Sequence, residues 1–204
     1  MFNFFGSILK ILHRYSLSQI TKQRLLSEKV SSALLIIDLQ AKILAPIQSK
    51  EQIVWNIKKI VDTFKILKKD IYATEQYPEK LGKTIEIGIS LDAYSKRDFS
   101  CIRCTDMIKR LKKHKIRTLI LCGVETHVCI LQSCIDLIND GYEIYLLADA
   151  IGSRTLIDHK IAIARLREIG VKIYSTEAVI FELCKSSEYV YFKAISQIVK
   201  RKMS

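Results

Sequence analysis

From Ser31 onward the apolar positions alternate between short continuous runs and runs at helical spacing. Ala33-Leu34-Leu35-Ile36-Ile37 is closed by Asp38, the pattern of a strand buried on both faces. Ile53, Ile57, Ile60, Phe64 and Leu67 then recur at helical spacing, and Asp70 to Thr74 offers a second short strand, which completes a βαβ unit. The alternation continues with a strand at Thr118–Cys122, a tight connection at Gly123-Val124-Glu125, and a helix from Thr126 to Asp140 stopped by Gly141. A strand at Glu143–Ala148, a helix at Thr155–Ile169 ended by Gly170, and a strand at Val171–Ser175 follow. Helical patterns at Glu177–Lys185 and Glu188–Lys200 close the chain. Strands alternating with helices, without hairpin turn signals, predict an α/β fold: a three-layer α/β/α, Rossmann-like open parallel sheet with helices on both faces. Ligands of such sheets sit beyond the carboxyl ends of the strands. Asp38, Glu75 with Gln76, Glu125 and Asp149 are the polar residues expected there.

Composition agrees with one folded domain. The chain has 204 residues, 49% hydrophobic and 26% charged, with only 7 Gly and 2 Pro. That excludes collagenous, proline-rich and largely disordered classes. The net charge of +12 would by itself point to an anionic partner such as nucleic acid or a lipid surface. Its distribution changes that reading, because residues 1–27 carry Lys10, Arg14, Lys22 and Arg24 without an acid, and the C-terminal stretch is again basic. Residues 1–30 are therefore read as a basic N-terminal extension, either a targeting segment, an amphipathic helix with weak membrane contact, or a disordered leader. Residues 31–204 form the domain. The internal run from Lys109 to Arg117 lacks interleaved aromatic residues, so it is read as a solvated helix face, and no specific nucleic-acid partner is expected.

Six cysteines without a clear secretory signal fit a reducing compartment. A cytoplasmic location is expected, or an organelle such as the mitochondrion if the N-terminal segment is a targeting signal. Cys101-Ile-Arg-Cys104 is a single C-x-x-C with too few accompanying ligands for a closed zinc site.

Cys129 falls about one turn into the helix that begins near Thr126, where unpaired N–H groups and the helix dipole would favour a thiolate. On that helix Ile130, Cys134 and Leu137 share an apolar stripe, whereas Cys129 aligns with Gln132, Ser133 and Asp136. Cys134 thus reads as core. Cys129 is either a nucleophile or a small core residue. Asp38 is the best-placed carboxylate to accept a thiol proton, with a turn cap as its alternative role. His127 is a rival base, but residues two apart on a helix face different ways. Spacing singles out no lysine.

Four segments carry a family resemblance: Leu34-Leu35-Ile36-Ile37-Asp38-Leu39-Gln40; Thr74-Glu75-Gln76-Tyr77-Pro78 with Leu81-Gly82; Lys96-Arg97-Asp98-Phe99-Ser100; and Cys122-Gly123-Val124-Glu125-Thr126-His127-Val128-Cys129-Ile130-Leu131-Gln132. In this order they resemble the isochorismatase-like cysteine hydrolases, in particular the isochorismatase-domain-containing branch. The resemblance spans about Ser31 to Lys200. It implies an Asp-Lys-Cys triad at Asp38, Lys96 and Cys129, and an oxyanion hole from the backbone N–H groups of Glu125 and Cys129. It also implies a cis peptide between Val124 and Glu125, with Gln76 and Tyr77 near the substrate. The implied activity is a metal-independent, cofactor-free hydrolysis of a small amide or related carbonyl compound through a thioester, in a homo-oligomer. Nicotinamidases of the superfamily carry an Asp-x-His plus His metal site after the second strand, whereas this chain has Glu75-Gln76-Tyr77 there and no histidine between His13 and His114. True isochorismatases cleave a vinyl ether without a cysteine nucleophile, so Cys129 speaks against that activity. Two alternatives stand beside the hydrolase: a catalytically weak interaction protein that keeps the fold, and a nucleic-acid-binding or ribonuclease role suggested by the charge.

Overall fold

The computed structural model describes residues 31–203. The basic extension over residues 1–30, with its targeting, membrane-contact and disorder readings, lies outside the described residues. Among the described residues no helix is long and apolar enough to cross a membrane.

Strand β1 (Ser32–Ile37) is buried at every residue. The short helix α1 (Ala41–Leu44) and the long α2 (Lys50–Ile66) lead to β2 (Ile71–Gln76), and α3 (Pro78–Leu81) precedes β3 (Tyr94–Lys96). A 3-10 turn at Cys101–Arg103 and α4 (Thr105–Lys113) connect to β4 (Thr118–Val124). The remaining elements are α5 (Leu131–Asn139), β5 (Glu143–Gly152), α6 (Leu156–Glu168), β6 (Lys172–Tyr174), α7 (Thr176–Cys184) and α8 (Phe192–Val199). The strands form one sheet in the order β3-β2-β1-β4-β5-β6, with every neighbouring pair parallel. The predicted open parallel sheet is therefore observed. The chain winds outward from β1 to β3 and then returns to lay β4 against β1, so the strand order reverses between β1 and β4.

Alternation along β1 builds the three layers. Leu34 and Ile36 join the cluster formed with Ile53, Ile57, Ile60 and Phe64 of α2 and with Val179, Ile180 and Leu183 of α7. Ala33, Leu35 and Ile37 join the opposite cluster, with Met107 and Leu111 of α4, Cys134 and Leu137 of α5, and Leu166 of α6. Each large aliphatic or aromatic side chain so buried is worth about 1.5–3 kcal/mol. Sequential parallel pairing then follows, because a strand apolar on both faces is stable only under helices on both sides.

Helix α4 carries the basic run as predicted. Met107, Ile108 and Leu111 are buried, while Lys109, Arg110, Lys112 and Lys113 face solvent.

Two departures position the site. Strand β3 has only three residues, of mixed polarity and at the sheet edge, and so carried no apolar signal in the sequence. Strand β5 does not stop at Ala148; its register against β4 shifts between Leu121 and Gly123, and it continues to Gly152. Asp149 therefore is not the end of the strand. Its Oδ1 accepts hydrogen bonds from the Thr176 N–H (2.7 Å) and hydroxyl (2.8 Å), fastening the start of α7. Gly123, at φ +115°, stands where a Cβ would lie 2.0 Å from the Ile37 carbonyl oxygen, so only glycine lets β4 approach β1 at the carboxyl rim.

Candidate active site

Asp38 follows β1 directly, at φ +50°, and is fully buried. Its Oδ1 accepts the Thr74 hydroxyl at 2.7 Å and its Oδ2 the Lys96 Nζ at 2.7 Å. Lys96 ends β3, two strands away from β1 across β2, a span of roughly 10 Å at ordinary strand spacing. Only a long side chain can cross it. On the way Nζ also donates to Gln76 Oε1 (2.6 Å), the Phe99 carbonyl (2.9 Å) and the Asp98 carbonyl (3.3 Å). With the side chains of Lys96 and Asp38 at 1% and 0% exposure, these oxygens replace the water that the ammonium has lost.

Cys129 comes from the other side of the strand reversal. The segment after β4 is a π-helical turn, Thr126–Ile130, rather than the first turn of an α-helix. The Glu125 carbonyl accepts from Val128 (3.2 Å) and from Ile130, five residues on (3.1 Å), as a π-helical turn requires. Both Asp38 and Lys96 act on the Cys129 thiol. Burial pushes that thiol up to about 12, the Asp38 carboxylate adds to the rise, and the Lys96 ammonium opposes it. The sequence places Cys129 at the start of an α-helix; here it lies in a π-helical turn, where burial is the largest influence on its thiol. At neutral pH the sulfur is therefore held as the thiol, and its proton has to leave as it attacks.

Cys129 lines a cavity of about 400 Å³, with Gln76, Phe99, Glu125, Val128 and Arg154 among the other residues of its wall. Of the expected substrate-binding pair, Gln76 lines it, but both ends of its amide are engaged, Oε1 by Lys96 and Nε2 by the Arg97 carbonyl (2.7 Å). It braces the ammonium. Tyr77 is not among the residues lining this cavity: its ring carries the Arg97 guanidinium 3.4 Å from the centroid and the Lys80 ammonium at 4.9 Å. The peptide bond between Val124 and Glu125 is cis. His127 bonds Ser153 Oγ at 2.9 Å. Glu75 accepts from the Thr84 N–H and hydroxyl, anchoring the loop after α3.

One residue of the cavity wall had no signal in the sequence. Arg154 follows the extended β5, and donates to the Glu125 carboxylate through its backbone N–H (3.0 Å), Nε (3.1 Å) and Nη2 (2.7 Å). Burial alone would raise the Glu125 carboxyl; the Arg154 hydrogen bonds and charge, helped by His127, hold it below the usual carboxylate range. Behind the site, Cys101 and Cys104 are buried in the 3-10 turn, and the Cys101 N–H donates to Ser133 Oγ at 2.9 Å. Among the described residues no group of three or more His, Cys, Asp or Glu side chains is arranged to hold a metal.

Ligands of open parallel sheets bind where the strand order reverses, and this cavity lies at that point of an α/β fold. Sequence comparison supplies the family: residues 32–178 match the isochorismatase domain, and the chain belongs to the isochorismatase family. It is 34% identical over 175 residues to the isochorismatase domain-containing protein 2A of Mus musculus, covering 83% of each chain. Among solved structures, the MAR1 ribonuclease of Caenorhabditis elegans superposes with a TM-score of 0.80 at 30% identity, over 89% of this chain and 95% of the other. The YcaC gene product of Escherichia coli, described as an octameric hydrolase of unknown specificity, superposes with a TM-score of 0.80 at 19% identity, over 87% and 91%. At that identity the likeness is one of fold.

Proposed function

We propose that the protein is a cysteine hydrolase that cleaves a small amide or related carbonyl compound through an acyl-enzyme on Cys129. The observation that carries this is the buried Asp38–Lys96 pair acting on a thiol at the wall of a cavity of small-molecule size. Asp38 accepts the thiol proton as the Cys129 sulfur bonds to the carbonyl carbon. The carbonyl oxygen becomes an oxyanion facing the backbone N–H groups of Glu125 and Cys129. Lys96 balances the charge on Asp38 throughout. The intermediate collapses as the leaving amine takes the proton from Asp38. Water then attacks the thioester, giving a proton back to Asp38, and the acid product leaves as the thiol is restored. No step calls for a metal or cofactor.

The test uses p-nitrophenyl acetate as an activated carbonyl. The expected result is turnover with a transient acetyl group mapped by mass spectrometry to Cys129, and loss of both in Cys129→Ala. An unchanged rate in that variant, or acetylation only at another cysteine, would overturn the proposal, and no turnover by the wild type would favour the interaction-protein reading.

The likeness to the Caenorhabditis elegans MAR1 ribonuclease favours RNA as a second reading. Against it, α4 runs antiparallel to the strands and carries its basic residues toward the end of the sheet opposite Cys129. Retention of labelled RNA at about 0.1 M salt, falling steeply as salt rises, is the result that reading requires, and the geometry leads us to expect none. Leu156, Ile157 and Ile161 expose 66%, 63% and 59% of their surface along α6, which supports a homo-oligomer. A light-scattering mass of a single chain would exclude it.

A further inference from the structure

Glu125 is held at two points, its carbonyl by the π-helical turn and its carboxylate by Arg154. The carboxylate side chain is only 7% exposed, while the arginine side chain that binds it is 58% exposed. Glu125 comes after the end of β4, and Arg154 after the end of the neighbouring β5, beyond the shift in register between them. The guanidinium therefore staples two strand ends together across an irregularity in the ladder, using Nε and Nη2 on the two carboxylate oxygens. A planar fork fixes both the distance and the orientation of its partner. Both residues line the cavity that holds Cys129.

An ion pair whose cationic partner is mostly exposed contributes little to stability. This one joins a residue beside the reacting sulfur, and its value lies in geometry and charge. Without the arginine, the Glu125 carboxylate would have to turn toward water, moving its own backbone, or stay as an unpaired negative charge in the wall where a second negative charge develops. Resting on the acyl-transfer chemistry proposed above, we propose that Arg154 is a positioning residue of that step: it fixes the Glu125 backbone N–H against the developing oxyanion and cancels the charge of the Glu125 carboxylate.

Two reactions of the same sulfur separate this role from a structural one. Acetylation by p-nitrophenyl acetate passes through an oxyanion; alkylation by iodoacetamide forms the S–C bond as iodide leaves and creates none. In Arg154→Ala the acetylation rate constant of Cys129 is expected to fall about 10- to 100-fold, somewhat less than for outright removal of an oxyanion donor, because the donor is displaced and not deleted. The alkylation rate at the same pH is expected to change less than about threefold, since a mostly exposed charge acts weakly on the thiol. Arg154→Lys, which keeps the charge and loses the fork, should fall between wild type and Arg154→Ala, and carries the test alone if the alanine variant does not fold. Acetylation and alkylation falling together, or neither falling, would overturn the inference. A wild-type protein that is alkylated at Cys129 but never acetylated there would remove the acyl-transfer reading itself, and this inference with it.

Discussion

Asp38→Asn is expected to lower turnover of p-nitrophenyl acetate by about 10²–10⁴-fold, the range for loss of a positioned general base, while making the Cys129 thiol easier to ionise. The two effects have opposite signs because the carboxylate does two things. It accepts the proton during attack, and while charged it also repels a thiolate, adding to the rise that burial imposes on the sulfur. Asparagine removes both. The Lys96 ammonium, which favours the thiolate, stays in place beside the sulfur. The pH dependence of iodoacetamide alkylation at Cys129 measures the shift: wild type should climb toward a midpoint near 12, and the variant should reach its midpoint at lower pH. At neutral pH the variant is then alkylated faster than wild type although it hydrolyses almost nothing. Retained turnover would show that Asp38 is not the base. A midpoint displaced upward would show that the carboxylate does not oppose the thiolate.

Lys96→Met should produce the largest change in stability. The ammonium is the counter-charge of a carboxylate with no exposed surface and the donor to Gln76 Oε1 and to the Phe99 and Asp98 carbonyls. Breaking such a buried pair from one side costs about 3–5 kcal/mol, because the charge left behind is still desolvated. For a chain of this size each kcal/mol moves Tm by about 2–4 °C, which predicts a loss of roughly 6–20 °C in thermal denaturation. Combining Lys96→Met with Asp38→Asn removes both charges and should recover much of the loss, giving a coupling energy that neither single variant shows. A shift below about 2 °C in the single variant, or strict additivity in the double one, would mean that the ion pair does not set the local stability.

The hydrolase reading has the same dependence on burial. A sulfur held in its thiol form by burial is a poor standing nucleophile, and in the proposed mechanism the buried Asp38 carboxylate, paired with Lys96, compensates by taking the proton during attack. Oxidation and indiscriminate alkylation need a standing thiolate. In the proposed mechanism, hydrolysis through Asp38 does not. The same desolvation that raises the thiol thus favours selectivity for a bound carbonyl.

Most of the scaffold was legible along the chain. The run Ala33–Ile37 reads as a strand under two layers because both of its faces are apolar, and Ile53, Ile57, Ile60 and Phe64 read as a helix because their spacing is helical. Asp38 and Cys129 stood out by position alone, one closing a buried strand and the other opening a helix. Lys96 did not, and entered only through the family resemblance. Its strand is too short and too polar to carry a periodic signal, and among many lysines nothing local marks the one that folds inward. The π-helical turn was read as an α-helix, since the apolar pattern of Ile130, Cys134 and Leu137 is insensitive to one extra residue in the turn before it. The resemblance puts Tyr77 near the substrate; in the fold its ring packs against the Arg97 guanidinium and the Lys80 ammonium.

What the sequence by itself determined is the principal strands and helices and their layering, because backbone periodicity and side-chain hydrophobicity act over a few residues and can be read in one dimension. What only the tertiary structure decided is which charges meet: Lys96 reaching across β2 to Asp38, and Arg154 reaching Glu125 from the next strand end. Coulomb and hydrogen-bond energies depend on distances through space between residues 58 and 29 positions apart, and no local pattern encodes those distances.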